Sequence, residues 1–163
     1  MSDYKVEADF EHEGLRCVVL GLNFGHRCGY VGITKEHPLY GVDYNDCTEF
    51  LASSSIKNEP IGKRGIIPIM CADLSKETVS PCIYFDVHGG ITYSGGSGKH
   101  PVESSGIWWF GYDCAHFGDA KDKSLMDAEK YDMLRQFEYG VVRTTDYCIA
   151  ECKSLAEQLF AIK

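Results

Sequence analysis

The chain has 163 residues, a net charge of −8 and a hydrophobic fraction of 44%. This length and composition are those of one ordinary globular domain, so we treat residues 1–163 as a single domain. The acidic balance argues against binding to duplex nucleic acid, which requires a basic surface. No run of 18 apolar residues occurs and Met1–Gly14 is acidic and polar, so we expect a cytoplasmic protein without a signal peptide or a membrane partner.

The first third of the chain predicts strands. Residues Tyr4–Phe10 alternate in polarity, Glu13–Gly14 is a turn sequence, and Leu15–Phe24 is apolar. Together these segments indicate a β-hairpin. His26–Ile33 favours a further strand with glycines at tight places, and His37–Gly41 is a loop because Pro38 breaks regular structure.

The middle of the chain is harder to assign. Ser53–Arg64 is polar and predicts an exposed loop, while Gly65–Leu74 is apolar but broken by Pro68, which indicates an edge strand or an irregular segment. Pro81–His88 predicts a strand, followed by a turn at Gly89–Gly90 and the start of another strand.

The last third contains two clearer elements. Gly106–Ala115 is an apolar strand, and residues 118–132 are charged, which predicts a surface segment. From Thr144 or Thr145, either of which could cap a helix, apolar residues recur at helical spacing to Phe160. Strands first and one long helix last predict an α+β fold, with a mostly antiparallel sheet and the C-terminal helix packed on one face.

The eight cysteines include no Cys-x-x-Cys pair. Thiols in a cytoplasmic protein stay reduced, which argues against a disulfide framework. A zinc site usually needs pairs of cysteines at short spacing, and these are missing. We therefore expect most of the cysteines to be small buried apolar residues.

Two histidines follow apolar segments and precede glycines. His88 lies two residues after Asp86, and His116 lies three residues after Asp113. Either histidine could act as a general base that is oriented by its aspartate, which would suit a hydrolase. If Pro81–His88 is a strand, Asp86 and His88 point to the same side of it.

Metal binding is an alternative use of the same region. Asp86, His88, Asp113, His116 and Asp119 are all acceptable ligands for a divalent ion. Asp-x-His-Gly is similar to a segment of calcineurin-like metallophosphoesterases, but the other metal-binding blocks of that family are absent. From the sequence we therefore expect no metal ion and no other cofactor.

The third possible role of the residues in this region is to form a ligand-binding pocket. Aromatic side chains, which stack on nucleobases, are dense around the same glycines, and Arg27 could meet a phosphate. The candidate ligand-binding residues are His26, Arg27, Tyr30, His37, Tyr40, Asp86, His88, Tyr93, Trp109, Asp113 and His116.

Four blocks, "HRCGYVGI", "HPLYG", "FDVHGGITYSG" and "WWFGYDCAHFGD", together with "ECKSLAEQL", resemble a family of small proteins encoded by tailed bacteriophages and prophages. The resemblance runs from about Gly25 to Leu159. It implies a setting, a phage accessory protein in the host cytoplasm, and brings no functional residue. Such proteins often counter host defences, sometimes by capturing a nucleotide immune signal.

We therefore expect an anti-defence protein that binds and sequesters a small nucleotide-derived ligand, such as a cyclic nucleotide, without turning it over. The alternative is a hydrolase that uses His88 or His116 on a phosphoester or glycosidic bond of a nucleotide. A third reading is an inhibitor that binds another protein through its acidic surface. Whether the protein forms a homo-oligomer stays open.

Overall fold

The structure is a computed structural model, and it describes residues 3–51, 63, 77–96, 98–134 and 139–162. In chain order the elements are β1 (Tyr4–His12), β2 (Leu15–Leu22), β3 (Arg27–Ile33), α1 (Pro81–Tyr84), β4 (Tyr93–Gly95), β5 (Trp108–Asp113), β6 (Asp119–Ala120), a 3₁₀ turn (Lys123–Leu125), α2 (Ala128–Leu134), β7 (Val141–Val142) and α3 (Thr145–Phe160). None of the helices in the described part of the chain is long and apolar enough to span a membrane.

Five strands form an antiparallel sheet in the order β1-β2-β3-β5-β4, and β6 and β7 form a separate parallel pair. Helix α3 packs against β1, β2 and β3. The predicted α+β fold, with its antiparallel sheet and C-terminal helix, is confirmed.

The β1–β2 hairpin turns at Glu13 and Gly14, as predicted. Both residues have positive φ, 52° and 72°. A two-residue turn of this kind matches the right-handed twist of the flanking strands, and Gly14 adopts it without steric cost.

The sheet is held in register by tyrosines that lie over glycines. Gly29 on β3 pairs with Tyr112 on β5, and a Cβ atom at Gly29 would lie 2.4 Å from the Tyr112 ring. The neighbouring pair is reversed, because the Tyr30 ring lies over Gly111. Any larger residue at either glycine would displace a ring, so this local pattern fixes how the two central strands align.

Helix α3 begins at the predicted cap. The Thr144 hydroxyl accepts a hydrogen bond from the backbone N–H of Tyr147 at 3.2 Å. Its buried side chains are Cys148, Glu151, Cys152, Leu155, Ala156 and Leu159. Full burial of Leu155 and Leu159 stabilises the fold by roughly 1.5–3 kcal/mol each.

The predicted strand at Pro81–His88 is wrong. Pro81–Tyr84 is a single helical turn, which is consistent with proline at its first position, and residues 85–92 form no regular element. The backbone N–H groups of Asp86 and His88 are bonded to the side chains of Gln158 and Glu151 on α3 instead of to a strand. The turn at Gly89–Gly90 is present, with positive φ at both glycines.

Other predictions fall partly or wholly outside the described residues. The proposed loop at Ser53–Arg64 has only Lys63 described, and the segment Gly65–Leu74 lies outside them. Of the cysteines that the structure describes, Cys17, Cys28, Cys114, Cys148 and Cys152 are buried as expected. Cys47 is exposed and Cys82 is half-buried.

Candidate functional site

Three chain segments bring polar side chains together beside the first two turns of α3. They are the irregular segment 86–89, the segment 113–119 that leaves β5, and the start of α3 at Tyr147 and Glu151. His88, His116 and Asp119 lie at the centre, and one ligand atom of each lies within 4.8 Å of the others. We call these three residues the histidine cluster.

His88 is held from several directions. Its Nε2 lies 2.8 Å from Asp119 Oδ2, and its Nδ1 lies 3.0 Å from the Tyr147 hydroxyl. Its backbone N–H donates to Glu151 Oε2 at 2.9 Å. Both ring nitrogens are therefore engaged, and the side chain is only 11% exposed.

Asp119 is the most buried member, with 1% of its side chain exposed. Oδ1 accepts a hydrogen bond from Arg143 Nε at 2.7 Å, and Oδ2 accepts one from the backbone N–H of His116 at 3.1 Å. Burial by itself raises the pKa of this carboxyl, but the hydrogen bonds from Arg143 and His88 outweigh it and lower the pKa below its usual value. Asp119 is therefore an anion held by donors.

Residues 118–132 lie at the surface as predicted, half-buried or exposed wherever their burial is described, and the Asp119 side chain is the exception. β6 pairs with β7, which places Asp119 beside Arg143 just before α3. Asp122, in the same segment, forms an ion pair with the buried Arg27. The charges of this stretch therefore include partners of buried groups.

His116 is the accessible member, with 37% of its side chain exposed. Its Nδ1 lies 3.7 Å from Asp113 Oδ1 and 3.8 Å from Asp119 Oδ2, too far for a hydrogen bond. This atom is buried and has no hydrogen-bond partner among the described residues. Buried polar atoms are normally paired, so an unpaired imidazole nitrogen beside two carboxylates is a notable feature of this site.

Gly89 makes room for the His116 ring. A Cβ atom at Gly89 would lie 2.1 Å from His116 Cε1, and Gly89 has a φ of +69°. The two imidazole rings of the cluster lie 5.7 Å apart in an edge-on arrangement. Gly89, which the sequence analysis assigned to a turn, therefore also lets the backbone lie directly against the His116 ring.

Basic groups border the cluster. Arg143 reaches Asp119 and also lies over the Tyr147 ring, 4.9 Å from its centre. Lys63 forms an ion pair with the buried carboxylate of Glu151, and Lys121 lies 3.4 Å from His26. Arg143 and Lys63 are thus each paired with a carboxylate that binds His88.

Asp86 and Asp113 do not orient the histidines as the sequence analysis expected. The Asp86 carboxylate accepts a hydrogen bond from the backbone N–H of Lys63, and only the backbone of Asp86 is bonded to α3, through the Gln158 side chain. Asp113 accepts from the Thr92 hydroxyl and from the backbone of Ala115. Of the two, only Asp113 comes close to a cluster histidine.

Arg27 is fully engaged within the protein. It is 5% exposed, and its guanidinium binds Glu7 at 2.5 Å, Asp122 at 2.7 Å and the Thr145 hydroxyl at 3.2 Å. The predicted role of this guanidinium in holding a phosphate would require it to leave two carboxylates.

The predicted aromatic residues do not converge on the cluster. Trp109 is fully buried in a second core, on the sheet face away from α3, where Tyr30 is also buried. Tyr93 and His100 contact Tyr30 edge-on, and His100 Nε2 lies 3.1 Å from the Tyr30 hydroxyl. Tyr40 contacts Trp108 at 6.3 Å between ring centres.

The two remaining candidates differ. His37 Nε2 donates to the carbonyl of Leu159, and its Nδ1 accepts from the backbone of Leu39, so it is a structural link to α3. His26 lies at the edge of the site, and burial, followed by the nearby Lys121, lowers its pKa. His26 is therefore a neutral imidazole near neutral pH.

Sequence reasoning missed Tyr147, Glu151 and Arg143. One signal was available for Glu151, because it lies on the apolar stripe of α3 between Cys148 and Cys152. A carboxylate at such a position must be paired when the helix packs on a sheet.

Comparisons with protein-family models, curated proteins and solved structures gave no match to this chain. The interpretation of the site therefore depends on its geometry.

Proposed function

We propose that the protein hydrolyses a phosphoester bond in a small nucleotide-derived compound, with the histidine cluster as the reacting centre. The observation that carries the proposal is the half-exposed His116 imidazole beside the carboxylates of Asp119 and Asp113, at 3.8 and 3.7 Å. Groups of this kind hold a water molecule and accept its proton as the water attacks phosphorus.

The members of the cluster support different parts of this reaction. Asp119 and His88 form the rigid base of the site, because each is fixed by a hydrogen bond to the other and to α3 or Arg143. His116 is the member that solvent can reach. The proton that leaves the water would pass to the His116 imidazole, and His116 would then give that proton to the departing alkoxide as the P–O bond breaks.

The surroundings suit an anionic substrate with a flat group. Arg143 keeps 27% of its side chain exposed next to Asp119, so its remaining N–H groups are available to a phosphoryl oxygen. Phe117, directly after His116, is fully exposed. Exposed aromatic rings beside a phosphate site can stack on a nucleobase.

The geometry favours turnover over the sequestration that we expected first. Sequestration was based on an aromatic pocket with Arg27 on the phosphate, and Arg27 is bound to Glu7 and Asp122 while Trp109 is buried. The phage setting is a prediction from the resemblance and the cytoplasmic location is a prediction from the sequence, and together they suggest cyclic nucleotides as the first compounds to test.

The test is to incubate the protein with 3′,5′-cyclic AMP, 3′,5′-cyclic GMP, cyclic di-AMP and bis(p-nitrophenyl) phosphate. Each reaction is run with a chelator and, separately, with added Zn²⁺ or Mn²⁺. The mixture is then filtered, and a second portion is heat-denatured and chromatographed. A new product supports hydrolysis, whereas a nucleotide that is depleted from the filtrate and recovered intact after denaturation supports sequestration and overturns our proposal.

Variants assign the activity to the site. His116→Ala should lower the rate by at least about 100-fold, as expected for loss of an acid–base group. His100→Ala is the matched control, because this histidine is half-buried and hydrogen-bonded to Tyr30 on the opposite sheet face. Equal rates in the two variants, or the absence of both product and depletion for every compound, would contradict the proposal.

A further inference from the structure

We infer that His88, His116 and Asp119 bind one divalent transition-metal ion of the Zn²⁺ class. This inference rests on the proposed function for the role of the ion, which would hold the attacking water, but the binding itself depends only on the three side chains. With the ion bound, His116 would act as a ligand instead of the base, and the Asp113 carboxylate beside it would accept the proton of the water. It differs from the sequence analysis, which led us to expect no metal.

The distances are those of ligands around one small ion. Zinc lies about 2.0–2.1 Å from histidine nitrogens and carboxylate oxygens, so two of its ligands are separated by about 3–4 Å. His88 Nε2 lies 2.8 Å from Asp119 Oδ2, and His116 Nδ1 lies 3.8 Å from the same oxygen. All three ligand atoms are within 4.8 Å of one another, so a small rotation of the half-exposed His116 ring closes the set.

The unpaired nitrogen of His116 is an independent observation. Nδ1 is buried and makes no hydrogen bond to any residue that the structure describes. A metal ion would satisfy this atom, which neither Asp113 nor Asp119 reaches. The Gly89 backbone fits against the same ring and limits where it can move.

The groups behind the ligands fit metal coordination as well. Metal-bound histidines usually donate their other ring N–H to a nearby group, and ligating carboxylates are themselves hydrogen-bonded. Tyr147 provides the partner for His88 Nδ1, and its hydroxyl can donate to a neutral nitrogen or accept from an N–H. Arg143 holds the Asp119 oxygen that does not face His88.

Binding of the ion would change the tautomer of His88. Without an ion, His88 Nε2–H donates to the ionised Asp119. With an ion bound, Nε2 would ligate through its lone pair, and the one proton of the neutral ring would lie on Nδ1 and be donated to the Tyr147 oxygen. Protons compete with the ion for the imidazole lone pairs, so the affinity for the ion should weaken at acidic pH.

The donor set indicates the type of metal. Two imidazole nitrogens and one carboxylate oxygen suit Zn²⁺, Co²⁺, Ni²⁺ or Fe²⁺, whereas Ca²⁺ and Mg²⁺ prefer sites made of oxygen. Three protein ligands leave a coordination position for water, as in catalytic zinc sites, and the exposure of His116 gives solvent access to it.

The test is titration of the chelator-treated full chain with Zn²⁺ by isothermal calorimetry, and with Co²⁺ by absorption spectroscopy. We expect about one ion per chain. We also expect the Co²⁺ complex to absorb in the visible range, as a Co²⁺ ion does in a coordination site of low symmetry. His88→Ala and His116→Ala should each weaken binding by at least about 100-fold, more than the effect of removing a supporting residue. Circular dichroism and thermal melting confirm that each variant is folded. We expect His116→Ala to perturb the fold least, because the His116 side chain is half-exposed.

His100→Ala should retain wild-type affinity because its ring lies on the other face of the sheet. Absence of Zn²⁺ and Co²⁺ binding by the wild type, or equal affinity in the His116→Ala and His100→Ala proteins, would overturn the inference. The two proposals fail separately. Metal binding without hydrolysis of any compound overturns only the proposed function, and hydrolysis by a protein that binds neither Zn²⁺ nor Co²⁺ overturns only the metal site.

Discussion

The Asp119 carboxylate connects both histidines of the cluster to Arg143. Its side chain is almost completely buried, yet its donors keep its pKa below the usual range. A buried carboxylate that keeps its charge in this way makes a pH-dependent contribution to the free energy of unfolding. The contribution is complete above the pKa of an unfolded aspartate, about 4, and is lost as pH falls through the lower pKa of the folded state.

We expect Asp119→Asn to reduce the free energy of unfolding at pH 7 and to reduce it less as pH falls below about 4. The reason is that the wild type loses the charged interactions with Arg143 and His88 in that range, while the amide never had them. Urea unfolding of both proteins at a series of pH values measures the difference. A difference that stays constant from pH 7 to pH 3 would argue against this account.

Gly89 is a second residue on which the geometry of the histidine cluster depends. Gly89→Ala would place a methyl group where the His116 ring lies, and it would strain a backbone with positive φ. Gly41→Ala is a matched control, because Gly41 has a φ of +82° and a Cβ atom there would meet nothing within 4 Å.

Both variants should lose roughly 1–3 kcal/mol of stability from backbone strain. Only Gly89→Ala should also weaken Zn²⁺ binding and hydrolysis, because only it moves His116. Calorimetric titration and the nucleotide assay measure these effects. Equal metal affinity in the two variants would show that the ring is not positioned by Gly89.

At the scale of the elements, the Arg27 side chain links four of them: β3, β1, the 3₁₀ turn and α3. Its guanidinium connects β3 to Glu7 on β1, to Asp122 before the 3₁₀ turn and to Thr145 at the start of α3. This arrangement indicates that Arg27 positions the N-terminal end of α3, from which Tyr147 and Glu151 reach the cluster. The residue therefore supports the site without facing a ligand.

Arg27→Met should destabilise the protein by roughly 3–5 kcal/mol, because Glu7 and Asp122 would be left without their cation. Arg16→Met removes an exposed pair with Asp9 and should cost no more than about 1 kcal/mol. Chemical denaturation of both variants gives the comparison. A stable Arg27→Met protein that has lost nucleotide binding would instead support the ligand role predicted from the sequence.

The elements also show where sequence reasoning succeeds. Local signals predicted the Glu13–Gly14 hairpin, an apolar strand within Gly106–Ala115 and a helix cap at Thr144 or Thr145, because each depends on residues next to one another. The strand is observed at Trp108–Asp113 and the cap at Thr144. Pro81–His88 failed because its backbone is bonded to Gln158 and Glu151, more than sixty residues away in the chain. His88 and His116 were recognised from their neighbours, but their common partner Asp119 depends on the β6–β7 pairing.

For the whole molecule, α3 is the element that closes the main core. Five apolar residues of this helix are buried against the sheet: Cys148, Cys152, Leu155, Ala156 and Leu159. A chain that stops at residue 143 should therefore expose the core, bind a hydrophobic dye and show no cooperative thermal transition. Leu155→Ala in the full chain should fold with a stability loss of about 2–5 kcal/mol. A cooperative transition in the shortened chain would contradict this role of α3.

Helix α3 is far along the chain from the strands that it covers, and this separation affects how the protein folds while it is being synthesised. The Cys152 thiol approaches the Val18 carbonyl across 134 residues of sequence. At about 5–20 residues per second, a ribosome needs roughly 7–27 s to make that stretch. During this interval the apolar face of the first hairpin has no helix to cover it, so chaperones that hold nascent chains would have their clearest opportunity to bind there.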